Sequence, residues 1–401
     1  MFKGALPGFR DFYPQELAER AYIMDVWRSV ARRYAFVEYD GPPLEPLDLY
    51  TRKSGEEIVG QLYNFVDKGG RDVALRPEMT PTVARMVGAR ANALRKPVRW
   101  FSMPQLFRYE RQQKGRLREH YQLNVDIFGA SDVAADAELV ACAVDIVRGF
   151  GLTSADVVVR VSDRRILQAF LESLAVPADA IDAVYAIIDK LDRTPIAVST
   201  EKLAALGLSA DAVSRIVTIA SVEMAEVQQR LAGSDAATYA SEFGDYLKYV
   251  AVLLGGDASW LRLDLSIVRG LAYYTGIVFE LFDRSGEFRA ICGGGRYDAL
   301  LKSLGGADMP AVGFGMGDVV LGELLRSRGL MRASSTTADY WLAADESMPL
   351  ESVMAEAASR RAAGHSVEYS LRPQTMTKQK KAAQASGARE FISLTHDASN
   401  G

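Results

Sequence analysis

Cysteine and histidine are both scarce in this chain of 401 residues, with two of the first and three of the second. Two cysteines, Cys142 and Cys292, cannot build a disulfide framework or a cysteine-rich metal site. His120, His365 and His396 include no pair at zinc-ligand spacing, so no metal-binding motif is expected. A charge excess is missing too: 47 Lys and Arg face 51 Asp and Glu, a formal net of -4. A nucleic-acid partner therefore has to be held by local basic patches rather than by a cationic body. No uninterrupted apolar run approaches the roughly 18 to 20 residues of a membrane span, and MFKGALPGFRDFYP has no apolar signal core. The expectation is a soluble cytoplasmic protein. Neither G-x-S-x-G nor GxxxxGK[ST] occurs, which removes the commonest serine-hydrolase and P-loop signatures.

What is present is an ordinary globular composition, 49% hydrophobic and 24% charged, enough for two or three domains. AERAYIMDVWRSVARRYAF repeats apolar residues at helical spacing, and GPPLEPL, Gly41 to Leu47, ends that helix. Short runs between about Leu62 and Phe128 (LYNFVD, DVALR, VRWFSM, LFRYER, YQLNVDIFG) predict strands of a largely antiparallel sheet. A buried-looking helix follows over Asp136 to Phe150, then a strand, ADVVVRVSD, and a helix, RRILQAFLESL. Residues 176–253 read as a small helical insertion, because strand character returns in WLRLDLSIVRGLAYYTGIVFELFD and FRAICGGGRYD. Ser334 to Thr337 form a polar linker, and 338–401 alternate strand and helix as a small α/β domain. Its last residues, EFISLTHDASNG, lack a closing strand and helix.

Four clusters could carry chemistry. FRYERQQKGRLREHYQ, Phe107 to Gln122, concentrates Arg108, Arg111, Lys114, Arg116 and Arg118, with QQKGR as the loop between two strands. Guanidinium forks there suit a phosphate or carboxylate, and a solvated hairpin satisfies the same spacing. In RPEMTPTVAR, Glu78 and Thr80 share a face if the segment is extended and could receive an ammonium group. Thr80 before Pro81 is equally a helix start. In QLNVDIFG, Gln122, Asn124 and Asp126 project from one face of a strand and Leu123, Val125 and Ile127 from the other, so the polar stripe lines a cavity or faces solvent. In VRGLAYYTGIVFE, Arg269, Tyr273 and Tyr274 interrupt an apolar run and make either a polar pocket wall or ordinary aromatic packing. The glycines of PAVGFGMGDVVLGELL, Gly313, Gly315 and Gly317, do not match the dinucleotide fingerprint GxGxxG.

The order of these segments resembles the three motifs of class II aminoacyl-tRNA synthetases. RPEMTPTVAR, FRYERQQKGRLREHYQ, VRGLAYYTGIVFE and CGGGRYDALLKSLGG are similar to the histidyl-tRNA synthetase family, over nearly the whole chain. The resemblance implies an α+β fold: a class II antiparallel sheet flanked by helices over 1–175 and 254–333, a helical insertion over 176–253, and a short anticodon-binding-like α/β domain over 338–401. It implies ATP-dependent activation of histidine, with Mg2+, followed by transfer to tRNA(His), in a homodimer. Glu78 and Thr80 are then expected to hold the substrate ammonium, and Arg108 to bridge the histidine carboxylate and the α-phosphate. Glu110 is expected near the adenine, Arg116 at the γ-phosphate and His120 stacked on the base. Gln122, Asp126, Tyr273 and Tyr274 are expected around the histidine side chain, and Arg269 at the α-phosphate during attack. The loop Gln112 to Leu117 is expected to meet the tRNA acceptor end, and Arg372, Lys378, Lys380 and Lys381 to supply phosphate contacts near the anticodon. On the same resemblance the glycines of PAVGFGMGDVVLGELL form a flat floor under the adenine.

Two departures stand out. Where the third motif carries an ATP-contacting arginine this chain has Val320, and the usual acid in RGLDYY is Ala272. The first supports a rival: a non-catalytic paralogue of the type of the regulatory subunit of ATP phosphoribosyltransferase, which keeps the fold and senses histidine. The presence of Arg108, Glu110, Arg116 and Arg269 speaks against it.

Overall fold

The computed structural model describes residues 4–51, 59–110, 115–268, 273–332, 338–345 and 347–395. Arg111 to Lys114, Arg269 to Ala272, Ser334 to Thr337 and His396 lie outside the described residues. The chain divides into two compact units, 1–332 and 333–401.

In the first unit the strands are, in chain order, β1 (Val37–Glu38), β2 (Leu44–Pro46), β3 (Tyr63–Val66), β4 (Asp72–Leu75), β5 (Val98–Ser102), β6 (Gln105–Phe107), β7 (Glu119–Phe128), β8 (Val157–Asp163), β9 (Leu261–Leu263), β10 (Ile277–Asp283), β11 (Cys292–Arg296) and β12 (Ala311–Gly317). Nine of them form one sheet in the order β1-β5-β7-β12-β11-β10-β8-β9, with β6 also on β7; β2, β4 and β3 form a small antiparallel sheet. All pairings in the large sheet are antiparallel except those at its two ends, β1 with β5 and β8 with β9. The antiparallel sheet expected from the sequence is therefore present, with a parallel strand at each end.

Period-two alternation decides what each face of this sheet does. On β7, Leu123, Val125 and Ile127 enter the main apolar core. The opposite side of the strand presents Gln122, Asn124 and Asp126 to a cavity. The core face is covered by the helix Val133–Gly149, whose N-terminus is capped by the Asp132 carboxylate accepting from Ala134 N at 2.8 Å. Against it lies the helix Pro14–Arg33. Proline opens that helix, Glu16 lies in its first turn, Arg32 and Arg33 in its last, and Ile23, Trp27, Val30 and Ala31 form the buried stripe.

Of the two readings of RPEMTPTVAR the structure has the helix start, and one expected strand is shorter than its sequence pattern. Glu78 and Thr80 do not share an extended face: Thr80 begins the helix Thr80–Ala89, with Pro81 in its first turn and no side-chain cap from Met79. Pro81 tolerates that position because its missing N–H has no intrahelical partner there. Strand β6 also stops at Phe107, so Arg108 to Glu110 follow it as irregular chain. Residues 176–253 are helical throughout their regular elements, including Ile181–Ile188, Ile196–Ala205, Ala210–Val217, Met224–Leu231 and Ala237–Leu253. Among the described residues, no helix is long and apolar enough to cross a membrane.

The second unit holds β13 (Tyr340–Ala344), β14 (Val367–Tyr369) and β15 (Glu390–Leu394), all parallel, in the order β14-β13-β15. EFISL is thus a strand, contrary to the expectation that the end lacks one; Ile392 and Leu394 pack onto the cluster of Leu342 and Ala344. On the other face Trp341 and Ala343 meet Ala383 of the helix Met376–Ser386. Apolar residues on both faces of the central strand are what a parallel sheet between helices requires.

Candidate active site

A cavity of about 680 Å3 opens on the polar face of the large sheet. Glu78, Thr80, Arg108, Glu110, Arg116, His120, Gln122, Asp126, Tyr273 and Tyr274 all line it, although their sequence positions span almost two hundred residues. Every described residue named for the site from the sequence is therefore brought to one place; Arg269 lies outside the described residues.

At the floor, Asp126 is 3% exposed and accepts a 2.5 Å hydrogen bond from the Tyr297 hydroxyl. Burial pushes its carboxyl up to about 7, with the Tyr297 hydrogen bond pulling the other way. Tyr297, in GGGRYD, was not among the residues expected around the ligand. Its signal was the motif itself, but only the β11–β12–β7 order brings a residue 171 positions away against Asp126. The backbone of β12 leaves room for this pair. Gly313 lies opposite Asp126 and Gly315 opposite Asn124. A Cβ on Gly313 would collide with Asp126 Oδ1, and one on Gly315 would come within 2.8 Å of Gln122 Cδ. Two of the three glycines in PAVGFGMGD are small because polar side chains of the neighbouring strand lie across them.

A second acid and tyrosine pair stands at the wall. The Tyr273 hydroxyl donates to Glu78 Oε2 at 2.9 Å. Burial, then the Glu78 charge, raises the Tyr273 phenol well above its ordinary value, with a hydrogen bond to Thr80 opposing. The Tyr273 ring centroid is 5.1 Å from that of Tyr274 and 5.8 Å from that of Tyr297. Tyr274 is 7% exposed and packs under Gly295, whose Cβ would approach its ring to 2.9 Å.

The basic cluster divides by role. Arg108 Nε donates to the Pro77 carbonyl at 2.9 Å and its backbone N–H to Arg118 O at 2.9 Å, which fixes the base of its side chain at the cavity. Arg116 Nε is 3.1 Å from Glu110 Oε2. Arg118 instead stacks over the Tyr109 ring at 4.1 Å, and its stem fills the space beside Gly8 at φ +87, where a Cβ would meet Arg118 Cγ at 2.7 Å. It secures the N-terminal segment and does not line the cavity. Burial, then the charges of Arg108 and Arg10, push the His120 imidazole down to about 3, so it is neutral at neutral pH.

Beneath these residues lies a structural network that sequence reading missed. Arg10 binds Glu119 Oε1 at 2.6 Å and Asp318 Oδ2 at 2.9 Å, and Asp318 Oδ1 accepts from Tyr121 N at 2.9 Å. Asp318 thereby ties the start of the helix Asp318–Ser327 to β7. Val320, two residues on, is 9% exposed, joins the core and borders the cavity. Arg296 of GGGRYD is structural too: its Nε is 3.1 Å from the buried Asp136 Oδ2, and its terminal nitrogens reach the Ala130 and Asp132 carbonyls at 3.0 and 3.2 Å. No group of three His, Cys, Asp or Glu side chains able to hold a metal occurs among the described residues.

Residues 8–317 match the family model described as Histidyl-tRNA synthetase. The histidine--tRNA ligase of Opitutus terrae is 46% identical over 393 residues, 96% of this chain and 89% of that protein. That of Thermoplasma volcanium is 39% identical over 96% of this chain and 89% of its own length. Among solved structures, histidyl-tRNA synthetase from Nostoc sp. PCC 7120 shares the fold, with a TM-score of 0.83 at 24% identity over 98% of this chain and 92% of that one. An ATP phosphoribosyltransferase regulatory subunit/histidyl-tRNA synthetase from Bacillus halodurans C shares it as well, with a TM-score of 0.79 at 22% identity over 98% of both chains. A fold common to both kinds of protein does not separate them, but the relatives at 39 to 46% identity are ligases by name, and over that length the chain belongs to the histidyl-tRNA synthetase family.

Proposed function

We propose that this protein activates histidine with ATP and transfers the histidyl group to tRNA. The observation that carries the reading is a single cavity holding two acid–tyrosine pairs, Asp126 with Tyr297 and Glu78 with Tyr273, together with Arg108 and Arg116. An amino acid whose side chain has two ring nitrogens needs polar partners at both ends, and Asp126 with a tyrosine hydroxyl supplies them, leaving Glu78 for the ammonium group.

Glu78 and Thr80 take the α-ammonium group. Asp126, Gln122 and the tyrosines surround the imidazole, and neutral His120 stacks on the adenine with Glu110 nearby. Arg108 and Arg269 hold the α-phosphate and Arg116 the triphosphate end. In the first step a carboxylate oxygen of histidine forms a bond to the α-phosphorus and the bond to pyrophosphate breaks. No protein base is needed, since the carboxylate is already a nucleophile; catalysis rests on alignment and on guanidinium charge where the pentavalent phosphate develops its own. A terminal ribose hydroxyl of tRNA then attacks the acyl carbon and AMP leaves. Mg2+ would enter with ATP and supply charge to its phosphates; Glu110 and Glu280 are among the carboxylates lining the cavity that could help to hold it.

The remaining elements are assigned on the same footing. Residues 1–175 and 254–333 form the catalytic domain, 176–253 an inserted helical domain, and 338–401 the domain that meets the anticodon. Arg372, Lys378, Lys380 and Lys381 are all exposed in that last unit, as phosphate contacts require. Two copies pair, and Val37, Phe65 and Val66, each at least half exposed in the single chain, offer apolar surface for it. The compartment is the cytoplasm. Charging of a histidine tRNA transcript, with Arg269→Ala as the variant, tests the reading: the variant should lose adenylation far more than histidine binding, and equal loss in both contradicts a transition-state role.

A further inference from the structure

Val320 removes a cation from the helix after β12, and the structure brings another, Arg289, to the same cavity. The point above Gly115 where a Cβ would sit lies 3.3 Å from Val320 Cγ2 and 4.0 Å from Arg289 Cδ. Val320 and the stem of Arg289, in the segment leading into β11, thus both border Gly115 at the base of the basic loop. Arg289, Arg116 and Arg193 all line the cavity together with Glu110, and Arg193 also lies 3.6 Å from Asp189. Burial and the charges of Arg116 and Arg193 hold the Arg289 guanidinium below its ordinary value, while Glu110 acts against them. Like charges converging on one part of a cavity are relieved by a polyanion, and a lone carboxylate ligand would not need so many.

We propose that Arg289 binds the pyrophosphate end of ATP beside Arg116, reaching the cavity past Gly115, which Val320 also borders, and so replaces from the strand side the arginine that the helix lacks. The proposal rests on the ATP-dependent reading above and names the residue that completes its phosphate subsite. An arginine on the helix after β12 and an arginine before β11 would approach the space about Gly115 from two sides, so the second makes the first dispensable.

The test is calorimetric titration of Mg-ATP and of AMP into the full-length protein and three variants: Arg289→Met, which keeps an unbranched stem without the charge, Arg289→Gln, and Arg289→Met combined with Val320→Arg. Loss of charge-assisted hydrogen bonds should weaken ATP binding roughly ten- to a hundredfold in the single variants. AMP binding should change by less than about twofold, since AMP lacks the pyrophosphate end. The double variant should recover at least about fivefold of the lost ATP affinity, its guanidinium arriving from the helix. Unchanged ATP affinity in either folded single variant, or equal loss for ATP and AMP, overturns the proposal. Because the titration needs neither histidine nor tRNA, a protein that fails to activate histidine but shows the ATP-specific loss would sink the amino-acid reading and leave Arg289 standing.

Discussion

Substituting Asp126 by Asn should flatten the pH dependence of stability above about pH 5. The carboxyl has a folded-state value of about 7 against an ordinary 3.8, because 3% exposure leaves its charged form poorly solvated. The folded protein therefore binds more protons than the unfolded chain between those two values, and stability falls as pH rises through that window. The full separation corresponds to roughly 4 kcal/mol at about 1.36 kcal/mol per unit, and roughly 2 kcal/mol of it is lost between about pH 5.5 and pH 8. Asp136, pushed up to about 6 by burial against the opposing Arg296 charge, adds a dependence of the same sign. That contribution is common to wild type and Asp126→Asn and cancels in their difference. Asparagine keeps an acceptor for the Tyr297 hydroxyl and cannot ionise, so urea unfolding at the two pH values should show a wild-type loss about 2 kcal/mol larger than the variant's. Equal slopes for the two proteins would refute the claim that Asp126 is buried without a compensating charge.

Tyr297→Phe leaves Asp126 without its donor; unfolding at pH 8 should show a loss of about 1 to 3 kcal/mol, shrinking at pH 5 where the carboxyl is protonated. Gly313→Ala forces Asp126 Oδ1 aside, so steady-state exchange kinetics should show kcat/KM for histidine down about tenfold or more, with the KM for ATP little changed. Arg296→Met strands the buried Asp136 and should cost about 3 to 5 kcal/mol by chemical unfolding at pH 8, and less at pH 5.

Much of this site could be read from local pattern. The alternation of Gln122, Asn124 and Asp126 with Leu123, Val125 and Ile127 marks a strand with one polar and one apolar face, and the structure gives the polar face a cavity. The helix Pro14–Arg33 and the strands from Tyr63 to Phe128 follow from periodicity in the same way. What stayed hidden depends on which strands are neighbours. Nothing local to GGGRYD says that Tyr297 reaches Asp126 while Arg296 turns to Asp136. Nothing in GFGMGD says that Gly313 is small for the sake of a carboxylate one strand away. Arg10 and Asp318 are 308 residues apart and meet only because both border the start of β7. Arg289 is not singled out in the sequence, and its place near Gly115, which Val320 also borders, exists only in three dimensions. The extended reading of RPEMTPTVAR failed because Pro81 suits the first turn of a helix as well as it suits extended chain.

The central claim is that the cavity selects histidine and joins it to the α-phosphate of ATP. ATP–pyrophosphate exchange with the full-length protein, run with histidine and with each other common amino acid in turn, tests it most directly. The account predicts exchange with histidine alone, abolished by Arg108→Ala and sharply reduced by Asp126→Ala. Histidine binding without exchange, or exchange driven equally by other amino acids, would contradict it.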